Sequence, residues 1–175
     1  MNDPIAKLEG HIRDIPDFPK EGIVFKDITP LCGNAEALSA TLDLLAEPYS
    51  GRGITHVAGM ESRGFIFAVP VAERLQAGFV PIRKPGKLPA ETVSAEYALE
   101  YGTDTLEMHR DAVGPGDKVL VVDDLLATGG TAEATVKLIR ERGAEVVGAT
   151  FVIELGFLAG RKRLEGLDIN SLIVY

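Results

Sequence analysis

Apolar positions recur along this chain in two ways, as faces with a helical repeat and as short continuous runs. Leu38, Leu42 and Leu45 share one helical face, with Asn34 ahead of them as a cap and Pro48 behind them, which predicts a helix through Glu47. Phe67, Val71 and Leu75 recur at the same spacing, but Pro70 lies inside the pattern and is expected to kink that helix or move its start. A third helix is expected over Ala132–Arg142, with Val136 and Ile139 inward and Gly143 as its stop. Between these lie strand candidates at His56–Met60, Phe79–Ile82, Lys118–Val122, Val146–Ile153 and Leu172–Tyr175. Lys118–Val122 has the β-branched, apolar character of a strand buried on both faces.

Strands alternating with helices predict an α/β fold: an open, mostly parallel twisted sheet with helices on both faces. Ligands of such folds collect at the carboxyl ends of the strands. Residues 93–113 fit the alternation poorly. Ser94–Tyr101 and Thr105–His109 alternate weakly around a turn at Gly102-Thr103-Asp104, which reads as a β-hairpin or a mobile loop over the site.

Composition narrows the picture. The chain has 175 residues, 46% hydrophobic and 25% charged, enough for one domain with its own core and no disulfide or metal staple. A single cysteine, Cys32, excludes an intrachain disulfide and favours a reducing compartment. The start carries no basic segment followed by an apolar core, and the longest mostly apolar stretch, Gly64–Ala72, is too short to span a bilayer. A cytoplasmic protein with no membrane partner is expected. The net charge of −8 argues against nucleic-acid binding through general positive charge. A polyanionic ligand would have to be held by a local basic cluster, by backbone amides or by a metal.

The segment Val119–Thr131 carries the most specific chemistry. A buried strand delivers Asp123 and Asp124, and Leu125-Leu126-Ala127-Thr128-Gly129-Gly130-Thr131 then turns into a helix. A glycine-rich turn at a helix N-terminus binds phosphate through amides and the helix dipole, without lysine. The acidic pair suits hydroxyl groups, or a divalent cation bridging to the ligand. Phosphate on the amides and hydroxyls on the carboxylates describe a ribose 5-phosphate. Neither GxxxxGK[ST] nor a GxGxxG following a strand is present, so the common nucleotide-binding loops are excluded. Arg83, Lys84 and Lys87 place three cations within five residues of an otherwise acidic chain. His11, His56 and His109 fall in no metal-ligand spacing with one another or with Cys32. His56 reads as a strand residue and Cys32 as a buried thiol.

Val119–Thr131 resembles the phosphoribosyl-pyrophosphate signature of the type I phosphoribosyltransferases. Asp17-Phe18-Pro19, Gly22–Pro30, Glu61-Ser62-Arg63-Gly64-Phe65 and Leu99-Glu100-Tyr101-Gly102 are similar to segments of that family's adenine phosphoribosyltransferase branch, and Glu154-Leu155 more weakly so. The resemblance implies transfer of the 5-phosphoribosyl group from phosphoribosyl pyrophosphate to N9 of adenine, giving AMP and pyrophosphate, with Mg²⁺ as cofactor. It implies a homodimer and a single domain over 1–175. Within it, residues 1–33 would form a small base-binding hood and 93–113 a flexible catalytic hairpin.

Roles follow from the resemblance. Asp123, Asp124, Ala127, Thr128, Gly129, Gly130 and Thr131 would hold the ribose 5-phosphate. Glu61, Ser62, Arg63, Arg83, Lys84 and Lys87 would hold pyrophosphate. Val24, Phe25, Lys26 and Leu155 would form the adenine slot, with Lys26 where the family often carries arginine and so without a planar, bidentate contact. Glu100 and Tyr101 would be catalytic, one handling the purine's proton and the other helping to exclude water. Magnesium would be bound mainly through pyrophosphate and water, without a dedicated protein cage. Two alternatives are a phosphoribosyltransferase for another base and a regulator that senses the donor. A regulator would usually need an effector module, and the first thirty residues are too short and too acidic for a helix-turn-helix.

Overall fold

A computed structural model describes residues 3–98 and 102–175 of the chain. They fall into two compact units, Met1–Leu44 and Leu45–Tyr175.

The first unit opens with helix α1 (Pro4–Glu9), capped by the Asp3 carboxylate on the Ile5 amide at 2.9 Å. Strands β1 (Arg13–Pro16) and β2 (Val24–Asp27) pair antiparallel, with Arg13 opposite Asp27 and Asp14 opposite Lys26. Both cross-strand pairs are ionic, Arg13–Asp27 at 2.6 Å and Lys26–Asp14 at 2.7 Å. The Thr29 amide, the Arg13 guanidinium and the Thr29 hydroxyl all donate to Asp27 and lower its carboxyl to about 2. A single-turn helix α2 (Thr29–Cys32) follows, in which Cys32 is half-buried and not the buried thiol expected. Helix α3 (Ala35–Ala46) has the expected cap, the Asn34 side chain accepting from the Ala37 amide at 2.9 Å. It ends one residue early, where Glu47–Tyr49 tightens into a 3-10 turn around Pro48.

The second unit is built on a five-stranded sheet. Its elements run β3 (His56–Met60), α4 (Gly64–Arg74), β4 (Gly78–Ile82), β5 (Thr92–Ala98), β6 (Thr103–His109), β7 (Lys118–Leu126), α5 (Gly130–Glu141), β8 (Glu145–Glu154) and β9 (Asp168–Val174). The sheet order is β4-β3-β7-β8-β9, every pairing parallel. Val119, Leu120, Val121 and Val122 of the central strand are fully buried, the two-faced burial their composition predicts. From β3 the chain crosses through α4 to β4 on one side, and from β7 through α5 to β8 on the other. The gap between the carboxyl ends of β3 and β7 is therefore the topological switch point, where an open parallel sheet leaves room for a ligand.

Several boundaries differ from the pattern's reading. Helix α4 starts at Gly64 and runs unbroken through Pro70, because its inward residues Phe67, Ala68, Val71 and Ala72 are buried and outweigh one lost backbone bond. Strand β7 extends past the twin acids to Leu126, so both are strand residues and not part of the turn. Parallel pairing with β8 (Asp123 with Phe151, Leu126 with Glu154) carries it there. Helix α5 begins at Gly130, two residues early, and β9 begins at Asp168. In β7–β8 the register shifts by one: Val119 faces Val146 and Leu120 faces Gly148, leaving Val147 as the extra residue of a bulge.

Strands β5 and β6 form an antiparallel hairpin of seven pairs, the first alternative expected for this region. Ala95, Leu106 and Met108 share a buried cluster with Ala132, Val136 and Ile139 of α5, which anchors the hairpin's base. No helix among the described residues is long and apolar enough to cross a membrane.

Candidate active site

The switch point opens as a cleft of about 380 Å³ lined by Glu61, Ser62, Arg63, Asp123, Asp124, Leu125, Ala127 and Thr131. All of these except Leu125 are among the residues singled out individually for ribose 5-phosphate and pyrophosphate. The N-terminal ends of α4 and α5 both border it, so two helix dipoles present their positive ends to the same space.

The twin acids sit differently. Asp123 packs beneath the first turn of α4, where a Cβ on Gly64 would lie 2.6 Å from its Oδ1; glycine at 64 is what admits the carboxyl. Its Oδ1 accepts the Asp124 amide at 2.9 Å. Burial, and then the neighbouring Asp124 carboxylate, push Asp123 well above the usual carboxylate range. Asp124 is buried and its Oδ2 receives Arg63 Nε at 2.6 Å. The pair thus offers one carboxylate fixed as an acceptor beside one that keeps its proton to higher pH. Two vicinal hydroxyls, each both donor and acceptor, match that set.

The loop after β7 supplies the second half. Gly129 caps α5 at φ +84°, a left-handed conformation that side chains resist. Among the described residues the amides of Ala127, Thr128 and Gly129 meet no protein acceptor, as a nest for an anion requires. The loop rests on the 3-10 turn Gly160–Leu164, and a Cβ on Gly160 would lie 2.3 Å from the Ala127 carbonyl oxygen.

The basic residues are already engaged. Arg83 Nε binds Glu61 Oε2 at 2.7 Å, and the Lys84 amide donates to Glu61 Oε1 at 3.0 Å. Burial opposes ionisation of Glu61, but these donors outweigh it and hold the carboxyl below its usual range. Arg83 also bridges to Glu107 through paired backbone bonds of 2.9 and 2.7 Å, which ties the hairpin to the end of β4. Lys84 Nζ pairs with Asp104 on β6, and the same carboxylate accepts the Tyr97 hydroxyl at 3.1 Å. Lys87 contributes its carbonyl to Arg83 at 3.4 Å.

The adenine candidates lie in both units. Val24 is exposed, Phe25 meets Phe18 edge-on at 5.2 Å and Lys26 pairs with Asp14, all on the hairpin of the first unit. Leu155 follows β8 in the second unit, half-buried, its amide on the Leu126 carbonyl at 2.9 Å. Glu100 and Tyr101 lie outside the described residues. His56 begins β3, its Nδ1 bonded to the Thr55 hydroxyl at 2.9 Å, a strand residue away from the cleft's lining.

Sequence reasoning named Gly64 only within the Glu61–Phe65 segment and gave no role to Asp104, Tyr97 or Gly160. Gly64, Asp104 and Gly160 meet partners 20 or more positions away and Tyr97 meets Asp104 across its own hairpin, so no local pattern marks them. Among the described residues no three His, Cys, Asp or Glu side chains converge.

Comparison with known proteins comes to the same place. The model of the phosphoribosyl transferase domain matches residues 34–170. An adenine phosphoribosyltransferase of Aeromonas salmonicida is 60% identical over 99% of this chain and 97% of its own length. The crystal structure of adenine phosphoribosyltransferase from Thermoanaerobacter pseudethanolicus superposes with a TM-score of 0.95 at 54% identity, covering 98% of this chain and 99% of that one. The Saccharomyces cerevisiae adenine phosphoribosyltransferase, complexed with an imino-altritol bisphosphate and adenine, gives 0.91 at 38% identity over 97% and 98%.

Proposed function

The chain belongs to the phosphoribosyltransferase family and, within it, to the adenine phosphoribosyltransferases, and from that premise we propose how its residues work. It transfers the 5-phosphoribosyl group of phosphoribosyl pyrophosphate to N9 of adenine, giving AMP and pyrophosphate, a purine-salvage reaction. Support comes above all from the convergence, at one switch point, of backbone amides that meet no acceptor among the described residues with a pair of unlike carboxyls. The nest takes the 5-phosphate, and Asp123 and Asp124 take the two ribose hydroxyls. Ser62, Arg63, Arg83, Lys84 and Lys87 face the pyrophosphate, with Glu61 as the carboxylate that aims Arg83 and the Lys84 amide.

In the transfer, the bond from the anomeric carbon to the pyrophosphate oxygen breaks as N9 attacks that carbon. Positive charge grows on the ribose while negative charge grows on the leaving group. Arg63, Arg83 and Lys84 stabilise the second, and the α4 dipole adds to them. Glu100 takes the proton released from N9, and Tyr101 beside it excludes water from the activated ribose. Val24 and Phe25 contribute apolar surface for the base, with Lys26 as a point charge on the same strand.

Magnesium is the cofactor implied by the family. The cleft's side-chain acceptors are carboxylate and hydroxyl oxygens, the hard ligands this ion prefers, and Asp123 and Asp124 would meet it through its water shell. Once bound, it neutralises diphosphate oxygens and improves the leaving group. A homodimer completes the reading on the family's account, and a cytoplasmic setting on that of the single cysteine.

The test is transfer with Mg²⁺, phosphoribosyl pyrophosphate and, separately, adenine, hypoxanthine, xanthine and orotate. AMP should form far faster than any other nucleotide. Equal rates with a second base would overturn the assignment to adenine.

A further inference from the structure

The phosphate loop has a backing that no part of the reaction accounts for. Gly129 and Gly160, thirty-one positions apart, face each other with backbone against backbone. A Cβ on Gly129 would fall 2.5 Å from the Gly160 carbonyl oxygen, and one on Gly160 would fall 2.3 Å from the Ala127 carbonyl oxygen and 3.1 Å from the Gly129 nitrogen. Real Cβ atoms do not approach backbone so closely, so neither chain can carry a side chain there without separating from the other.

The turn that bears Gly160 is strapped down on both flanks. Arg161 Nε lies 2.8 and 2.9 Å from the two carboxylate oxygens of buried Glu154, while its other nitrogens reach the Ile169 carbonyl at 3.2 Å and the Ser171 hydroxyl at 3.3 Å. Arg163 binds Glu133, in the first turn of α5, at 2.8 Å. Burial opposes ionisation of Glu154, but the Arg161 and Ser171 donors outweigh it and keep the carboxyl below its usual range.

We propose that Gly160 is a positioning residue for the donor's 5-phosphate: its backbone, fixed by the Arg161–Glu154 clamp, is the template against which Ala127–Gly129 take the spacing that aims their amides. The proposal rests on reading that loop as the 5-phosphate site. Gly160 touches no reacting atom. Its effect should appear in the affinity for one end of the donor only.

Gly160→Ala tests this cleanly, because the φ of Gly160 is not left-handed and alanine there meets no conformational penalty of its own. The full-length protein is titrated calorimetrically with ribose 5-phosphate and, separately, with magnesium pyrophosphate. Gly160→Ala should weaken ribose 5-phosphate by about tenfold or more while pyrophosphate changes by less than about twofold, since displacing a binding group by an ångström costs that much or more. Gly166→Ala is the comparison: Gly166 has φ +83° and nothing within 4 Å, so it should lose stability without altering either affinity.

If Gly160→Ala does not fold, Arg161→Lys decides. It removes the two-oxygen clamp and should weaken ribose 5-phosphate about threefold, again without moving pyrophosphate. Wild-type affinity for both ligands in the folded Gly160→Ala protein, or an equal loss of both, overturns the proposal. Failure of the wild-type protein itself to bind ribose 5-phosphate overturns the reading of the loop beneath it, and is seen before any variant is made.

Discussion

The two anion sites proposed for this chain are built on opposite principles. The loop Ala127–Thr131 is made of backbone. Among the described residues the amides of Ala127, Thr128 and Gly129 meet no protein acceptor, the left-handed turn belongs to Gly129, and the loop lies against Gly160. The proposed pyrophosphate site is made of side chains, and three of its cations already hold a carboxylate: Arg83 on Glu61 and Lys84 on Asp104 after β4, and Arg63 before α4 on Asp124. On that proposal a phosphate entering the first site finds it shaped, whereas a pyrophosphate entering the second takes cations away from their partners, so its net gain is a difference between two ion pairings. The first site sets geometry. The second is exchangeable, which suits a group that has to leave.

Mutations can break or sharpen this contrast. The largest effect belongs to neither site: Glu100→Gln should lower kcat by about 10²- to 10⁴-fold, the range for a lost general base, while both ligand affinities hold. Loss of donor affinity by the same factor would move Glu100 from chemistry to binding. Gly129→Ala attacks the backbone site. It should raise the donor's KM about a hundredfold through displaced amides. A left-handed alanine should also reduce stability by about 1–3 kcal/mol in denaturant unfolding. Wild-type KM with reduced stability would detach the loop from the phosphate.

Asp124→Asn should weaken the donor about tenfold, because a charged acceptor is lost to the ribose hydroxyls, a loss larger than the gain from freeing Arg63. Unchanged affinity would leave the acid as a strand-end cap. Asp104→Asn should act in the opposite direction. Freed from the Asp104 carboxylate, Lys84 should bind pyrophosphate about two- to threefold more tightly, since the pair is partly exposed. A weaker pyrophosphate would mean that Asp104 positions Lys84 and does not compete for it.

The smallest effect serves as a control outside both sites. Asp27 has a native carboxyl near 2 against an ordinary value of 3.8, so its contribution is complete above about pH 4 and is lost as pH falls through 2. Carboxyl resonances followed by NMR should place its midpoint near 2. A midpoint near 4 would show that Thr29 and Arg13 do not hold it.

The contrast between the sites also explains what could be read in the sequence. The backbone site was legible because its chemistry is encoded contiguously: a β-branched run, two acids, small residues and two glycines, all within Val119–Thr131. Its support was not, because Gly160 acquires meaning only where two distant backbones cross. Arg83 and Lys84 were legible as cations, but their carboxylate partners lie 20 or more positions away, and charge composition does not say which pairs form. The same holds for β1 and β2, where Arg13–Asp27 and Lys26–Asp14 pair across the strands beside Ile15–Phe25 and Pro16–Val24, with no apolar alternation to announce either strand. Strand ends were misjudged for a related reason. Aspartate disfavours strands, yet parallel pairing with β8 carries β7 through both acids.

The bulge at Val147 has a reach well beyond its own position. Side chains on a strand change sides with every residue, so one surplus residue near the start of β8 sets the phase of everything after it, as far as Glu154 and Leu155. A chain lacking Val147 would turn Glu154 and Leu155 each to the opposite face, and Arg161 would lose the carboxylate that holds it. Which groups stand at the carboxyl end of this interior strand is thus written in a count made at its amino end.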